Sequence, residues 1–260
     1  MIGAVAGDII GSIYEWSPTK NYNFELFNRK SCFTDDTVLT IATAEALLEK
    51  GTEANRKDFS RAYMKWGRKY PHAGYGGRFR EWLRYGDPSI VIDSFGNGSA
   101  MRVSPVAWVS DDIDIVLKLA QESAAITHSH PEGIKGAQAV AAAIYMARYG
   151  ENKESIRLNL ERMFGYDLSR KIIDIKATYT FNVTCQGSVP EAIIAFLEAN
   201  SYEDAVRLAV SLGGDTDTQA CMAGSMAEAV WPVPQEIKER SQRILTQELY
   251  QIINEFEKKH

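Results

Sequence analysis

Ile2-Gly-Ala-Val-Ala-Gly-Asp-Ile-Ile-Gly-Ser-Ile-Tyr-Glu-Trp16 sets Gly3, Gly7 and Gly11 at every fourth place of an apolar run. On a helix of about 3.6 residues per turn these glycines align as one smooth ridge. Each costs about 1 kcal/mol in helix propensity, so the ridge predicts a buried helix that another helix approaches closely. Helical periodicity continues outward: Val38 to Lys50, Asn55 to Tyr70, a short piece ending at Arg84, Ala100 to Val109, and Asp114 to Thr127. Phe59, Tyr63 and Trp66 form one stripe that reads as core. An alanine-rich run reaches Tyr149 with Pro131 at its first helical position. Lys153 to Phe164, Val189 to Ala199, Tyr202 to Leu212, Asp217 to Val230 and Pro232 to Lys258 follow. Tyr179 to Gln186 alone has strand-like composition, and it reads as an extended loop. The pattern predicts an all-α fold, a single orthogonal multi-helix bundle, in which function falls to helix ends and loops.

The chain of 260 residues has no Pro/Gly/Ser linker, so residues 1–260 are expected to form one domain. The net charge of −5, with acids and bases interspersed, offers no basic face for nucleic acid and no polybasic membrane anchor. Cys32, Cys185 and Cys221 are widely spaced and lack any CxxC or Cys/His pattern. They predict neither a disulfide framework nor a zinc site, and point to a reducing cytoplasm. No apolar run approaches the roughly 18 residues of a membrane span, and the start lacks the cationic region of a signal peptide.

Two stretches concentrate the chemistry. Gly213-Gly-Asp-Thr-Asp-Thr218 packs carboxylates, hydroxyls and glycines between two apolar helical patterns, and Thr34-Asp-Asp-Thr37 repeats that chemistry before another helix. Taken singly, each reads as a helix cap, where Asp and Thr satisfy first-turn N–H groups. Taken together, they fit a pair of divalent cations equally well, since an all-oxygen donor set suits Mg²⁺, Mn²⁺ or Ca²⁺. Asp8 reads as a partner for a neighbouring helix terminus. Glu15, seven residues on and on the same side of the helix, opposes the dipole at the helix end and is a candidate for function. Gly74-Tyr75-Gly76-Gly77 and Asp93-Ser-Phe-Gly-Asn-Gly-Ser99 are small-residue loops, the second able to offer backbone N–H groups to an anion. His128, near a helix C-terminus, fits either a cap or a donor to an anionic ligand.

Gly3 to Glu15, Thr34-Asp-Asp-Thr37, Gly96-Asn-Gly-Ser-Ala-Met-Arg-Val103, Thr127-His128, Ser188-Val-Pro190 and Gly213-Gly-Asp-Thr-Asp-Thr218 occur in one order over nearly the whole chain. Together they resemble the ADP-ribosyl-glycohydrolase family, founded on the dinitrogenase reductase-activating glycohydrolases. The resemblance implies an all-helical fold with two Mg²⁺ or Mn²⁺ ions in a cleft, held by Thr34, Asp35, Asp36, Asp215, Asp217 and Thr218. It implies that the ions bind the ribose diol, and that Ser94, Phe95, Gly96, Asn97 and Gly98 hold the diphosphate with Phe95 as adenine platform. Tyr75, Gly76, Gly77 and His128 match further ligand contacts. Glu15 matches the movable glutamate of the serine-linkage branch. Glu15 or a metal-bound aspartate, Asp35, is then expected to handle the proton.

The expected reaction is metal-dependent cleavage of the glycosidic bond between ADP-ribose and a modified protein side chain or small molecule, by a monomer. Two rivals are an ADP-ribose-binding module without turnover and a dinuclear phosphohydrolase attacking the diphosphate. The identity of the acceptor lies in rim loops whose chemistry is not diagnostic.

Overall fold

Gly7 and Gly11 decide how the first helix packs. In a computed structural model describing residues 1–260, a Cβ added at Gly7 would lie 2.1 Å from the Ala220 carbonyl oxygen, and one at Gly11 2.3 Å from that of Thr216. Helix α1 (Ile2–Gly11) therefore lies backbone to backbone on α12 (Thr216–Glu228), as the glycine ridge predicts. Every residue of α1 is buried.

Between them run α2 (Asp35–Lys50), α3 (Arg56–Lys69), α4 (Gly77–Tyr85), α5 (Gly98–Met101), α6 (Ile113–Ala124) and α7 (Pro131–Arg148). Next come α8 (Lys153–Phe164), α9 (Ile172–Thr178), α10 (Cys185–Glu198) and α11 (Tyr202–Val210). Beyond α12, α13 (Gln235–Ile244) and α14 (Gln247–Lys259) close the bundle. The fold is all-α, with one isolated antiparallel bridge between Gly96 and Thr184 and no strand. Buried apolar side chains form one continuous cluster of 74 residues that takes in α1, α2, α7, α10 and α12. No helix is long and apolar enough to cross a membrane.

Several boundaries differ from the sequence expectation for local reasons. The apolar run to Trp16 leaves the α-helix after Gly11, whose carbonyl accepts the Thr216 hydroxyl and, in a tighter turn, the Tyr14 N–H, each at 2.8 Å. Glu15 thus occupies a turn beyond the helix. The loop through Gln186 ends at Thr184, whose side chain caps α10, so the helix starts at Cys185, four residues before Val189. The C-terminal helical run is broken at Leu245, and Thr246 caps α14 through the Leu249 N–H. Ala100 to Val109 is the end of α5 followed by a 3₁₀ turn over Ser104–Trp108.

Candidate active site

The close seating of α1 on α12 presses carboxylates together. Asp8 projects from α1, Asp36 from the first turn of α2 and Asp217 from the first turn of α12; an oxygen from each lies within 4.8 Å of the others. Glu15, Asp215 and Asp217 form a second group at the same spacing, so Asp217 belongs to both. Asp35 faces the same cleft, with its Oδ1 against Gly74, where an added Cβ would stand 3.1 Å away. Gly74 has φ of 109°, a conformation glycine takes without strain.

The two acidic helix starts are braced differently. At α2, Thr34 accepts the Asp36 N–H, and Asp8 accepts the Thr34 N–H at 2.9 Å, the Thr34 hydroxyl at 2.7 Å and the Thr37 N–H at 3.1 Å. Asp8 is therefore the helix-terminus partner that its sequence position suggests, and a member of the acidic cluster as well. At α12, Asp215 occupies the N-cap without a side-chain cap bond; its carboxylate accepts instead from Asn97 Nδ2 at 2.7 Å. Capping does not account for Asp215. Gly213, at φ 66°, makes the turn that aims it.

Electrostatically the cluster is uncompensated. None of these carboxylates forms an ion pair with lysine, arginine or histidine. Burial, followed by the Asp217 charge, pushes Asp8 up to about 7. Burial and the charges of Asp217 and Asp8 push Glu15 to about 7. Asp35, Asp36 and Asp215 are held well above the carboxylate range by burial and Asp217, and burial raises Asp217 itself. Asp36 Oδ1 is buried with no hydrogen-bond partner. Crowded, buried and partly unsatisfied oxygens of one sign fit divalent cations of the hard, oxygen-seeking kind.

Glu15, Asp35, Asp36, Asp215 and Asp217 line a cleft of about 400 Å³, with Asp8 buried behind them. Gly76, Gly77, Ser94, Gly96, Asn97, Gly98, His128 and Thr218 also line it. The Ser94–Gly98 loop is anchored where Asn97 N–H donates to Val183 O and Cys185 N–H to Phe95 O, each at 2.8 Å. Three expected site residues lie off the cleft lining. Thr34 is buried behind the carboxylates, tied to Asp8. Tyr75 is buried and stacked on Phe79 at 5.2 Å. Phe95 is 42% exposed and meets His130 edge-on at 5.3 Å.

The cleft also takes in side chains to which the motifs assign no role. Trp16, 84% exposed, stands at the mouth beside Glu15. Phe181 and Val183, the strand-like residues of the extended loop, line the wall. Arg102 lies in the floor. Only the alternation of Phe181 and Val183 hinted at this, since residues two apart in extended chain share a side.

Fold and site define an all-helical protein whose carboxylate-rich cleft is built from helix ends. The chain belongs to the ADP-ribosylglycohydrolase family, whose profile matches residues 1–260. Membership makes it a hydrolase. It is similar to ADP-ribosylhydrolase ARH3 of Bos taurus, at 27% identity over 90% of this chain and 84% of that protein. ADP-ribosylarginine hydrolase Tri1 of Pseudomonas putida (strain GB-1) is 26% identical, covering 96% of this chain and 76% of that protein. A solved structure described as an ADP-ribosylglycohydrolase-related protein complex superposes with TM-score 0.75 at 26% identity, over 98% and 94% of the two chains.

Proposed function

We propose that this chain, acting as one domain, hydrolyses the glycosidic bond joining ADP-ribose to a modified protein side chain, with two divalent cations, Mg²⁺ or Mn²⁺, in the cleft. The observation that carries this is the pair of oxygen groups sharing Asp217, all raised in pKa and all without a cationic partner. Asp35, Asp36, Asp215, Asp217 and Thr218 would hold the ions, with Thr34 held in reach behind them by Asp8. Bound cations supply fixation of a vicinal diol and polarisation of a water.

The rest follows from the chain's own groups. Cleaving a ribosyl bond builds positive charge at the anomeric carbon, which nearby carboxylates stabilise. Glu15 is half-buried at the mouth of the cleft, where burial raises its carboxyl above the ordinary range and favours a proton on it. In that position it can give the proton to a leaving oxygen and take one back from water. Glycines at 76, 77, 96 and 98 leave backbone exposed along the rest of the cleft, where a diphosphate would be held.

Defined ADP-ribosylated serine and arginine peptides test the reading, assayed with Mg²⁺ and with chelator. Free ADP-ribose, formed only with metal, is expected. AMP with a phosphoribosyl peptide would assign the chain to diphosphate cleavage, and tight ADP-ribose binding without products would make it a binding module.

A further inference from the structure

Arg102 is the largest side chain in the protein with no exposed surface, and none of its hydrogen bonds goes to a carboxylate. Its guanidinium carbon stands 4.0 Å from the centre of the Tyr63 ring, a contact that favours a desolvated cation. Nη2 donates to the Ser123 carbonyl at 3.0 Å and to Thr127 Oγ1 at 2.7 Å, while Nε and Nη1 have no partner. Thr127 Oγ1 is in turn 2.9 Å from His128 Nδ1. A charged arginine thus lies two hydrogen bonds from an imidazole that lines the cleft.

The proton count along this chain has one satisfactory solution. Arginine is donor only, so Thr127 Oγ1 must accept from it. Thr127 is buried, and its hydroxyl proton has no acceptor besides His128 Nδ1. With the threonine proton donated to Nδ1, both Thr127 Oγ1 and His128 Nδ1 are satisfied. With a proton already on Nδ1, the threonine O–H would be buried without a partner, at a cost of about 1–3 kcal/mol.

We propose that Arg102 and Thr127 are positioning residues that hold His128 as a neutral imidazole with its proton on Nε2, presenting a fixed N–H donor to an oxygen of bound ADP-ribose. Two observations place that donor. Nε2 faces Gly96 and Gly98, where added Cβ atoms would lie 3.6 and 3.1 Å from it, so side chains there would cover it. The His128 N–H donates to Ala124 O at 2.8 Å, fixing the backbone that carries the ring. Burial and the Arg102 charge also push the imidazole well below its ordinary range, against a second proton. His128 then binds and orients while the carboxylates move protons. The ligand half of this inference rests on the function proposed above; the tautomer does not.

Long-range ¹⁵N–¹H NMR of histidine-labelled, ligand-free protein at neutral pH tests it, with His128 assigned by the His128→Gln variant. The expected spectrum has Nδ1 unprotonated and Nε2 protonated. Thr127→Val should release the lock, giving mixed tautomers and about threefold to tenfold weaker ADP-ribose binding. Thr127→Ser, which keeps the hydroxyl, should restore both. A proton on Nδ1 in the wild-type protein overturns the lock, and that spectrum decides it even if Thr127→Val does not fold. A Thr127→Val protein with the wild-type tautomer also overturns it. Wild-type protein that binds no ADP-ribose overturns the functional reading and the ligand half alone.

Discussion

Two charged hollows in this molecule make an instructive contrast. One, of about 330 Å³ between α8, α10 and the loop that leads into α9, is lined by Lys153, Glu154, Arg157, Arg170, Lys171 and Glu198. There Arg157 pairs with Glu154 and Glu161, Arg170 with Glu191, and Lys171 with Glu198. The other is the acidic cleft, where six carboxylates gather without a single pairing cation. Charge alone does not mark a site. A buried charge that the fold leaves unanswered does, because holding it dry is costly unless a bound partner answers it.

The contrast can be broken most forcefully at Asp217, the residue common to both oxygen groups. Asp217→Ala should lower divalent-cation affinity by at least about 100-fold, beyond what losing an outer partner costs, and should abolish turnover. An unchanged calorimetric metal titration would remove the site. Glu15→Gln comes next: turnover should fall by about 10²–10⁴-fold with ADP-ribose affinity retained. Wild-type rates in that variant would exclude Glu15 from the chemistry.

A third measurement uses pH. Asp8 and Glu15 have folded-state pKa values of about 7, above their ordinary 3.8 and 4.5. The stability tied to their protonated forms is therefore complete below those ordinary values and is lost as pH rises through about 7. Metal-free protein should show a melting midpoint that falls by several degrees between about pH 5 and pH 8. Added Mg²⁺ should flatten or reverse that slope, and identical slopes with and without metal would contradict an unanswered acidic cluster.

The smallest effect is expected in the other hollow. Arg170→Met removes the partner of Glu191, which is 5% exposed, and should cost about 1–3 kcal/mol of stability while leaving metal-dependent turnover unchanged. Loss of turnover there would show that the two hollows are coupled.

Much of this architecture was legible in the sequence. Lys153 to Phe164 is helical from end to end, Pro131 opens α7, and the stripe of Phe59, Tyr63 and Trp66 is buried. Alternation and spacing report such features because they depend on neighbours within a few turns. Periodicity does not signal helix α9, and it runs unbroken through the C-terminal segment although Thr246 restarts the helix there. Both depend on how short segments lodge against the rest of the chain.

The site divides in the same way. Residue types alone determined that this chain holds two acidic, hydroxyl-bearing helix starts, a glycine-ridged helix and oxygen donors suited to hard cations. Only the tertiary structure decided that Asp8 braces one start while joining the cluster, that Asp215 is freed from capping, that Glu15 lies in a turn, and that Arg102 reaches His128 through Thr127. The reason is physical: a motif states which atoms are available, whereas desolvation and like-charge crowding arise when segments some 200 residues apart are packed against one another.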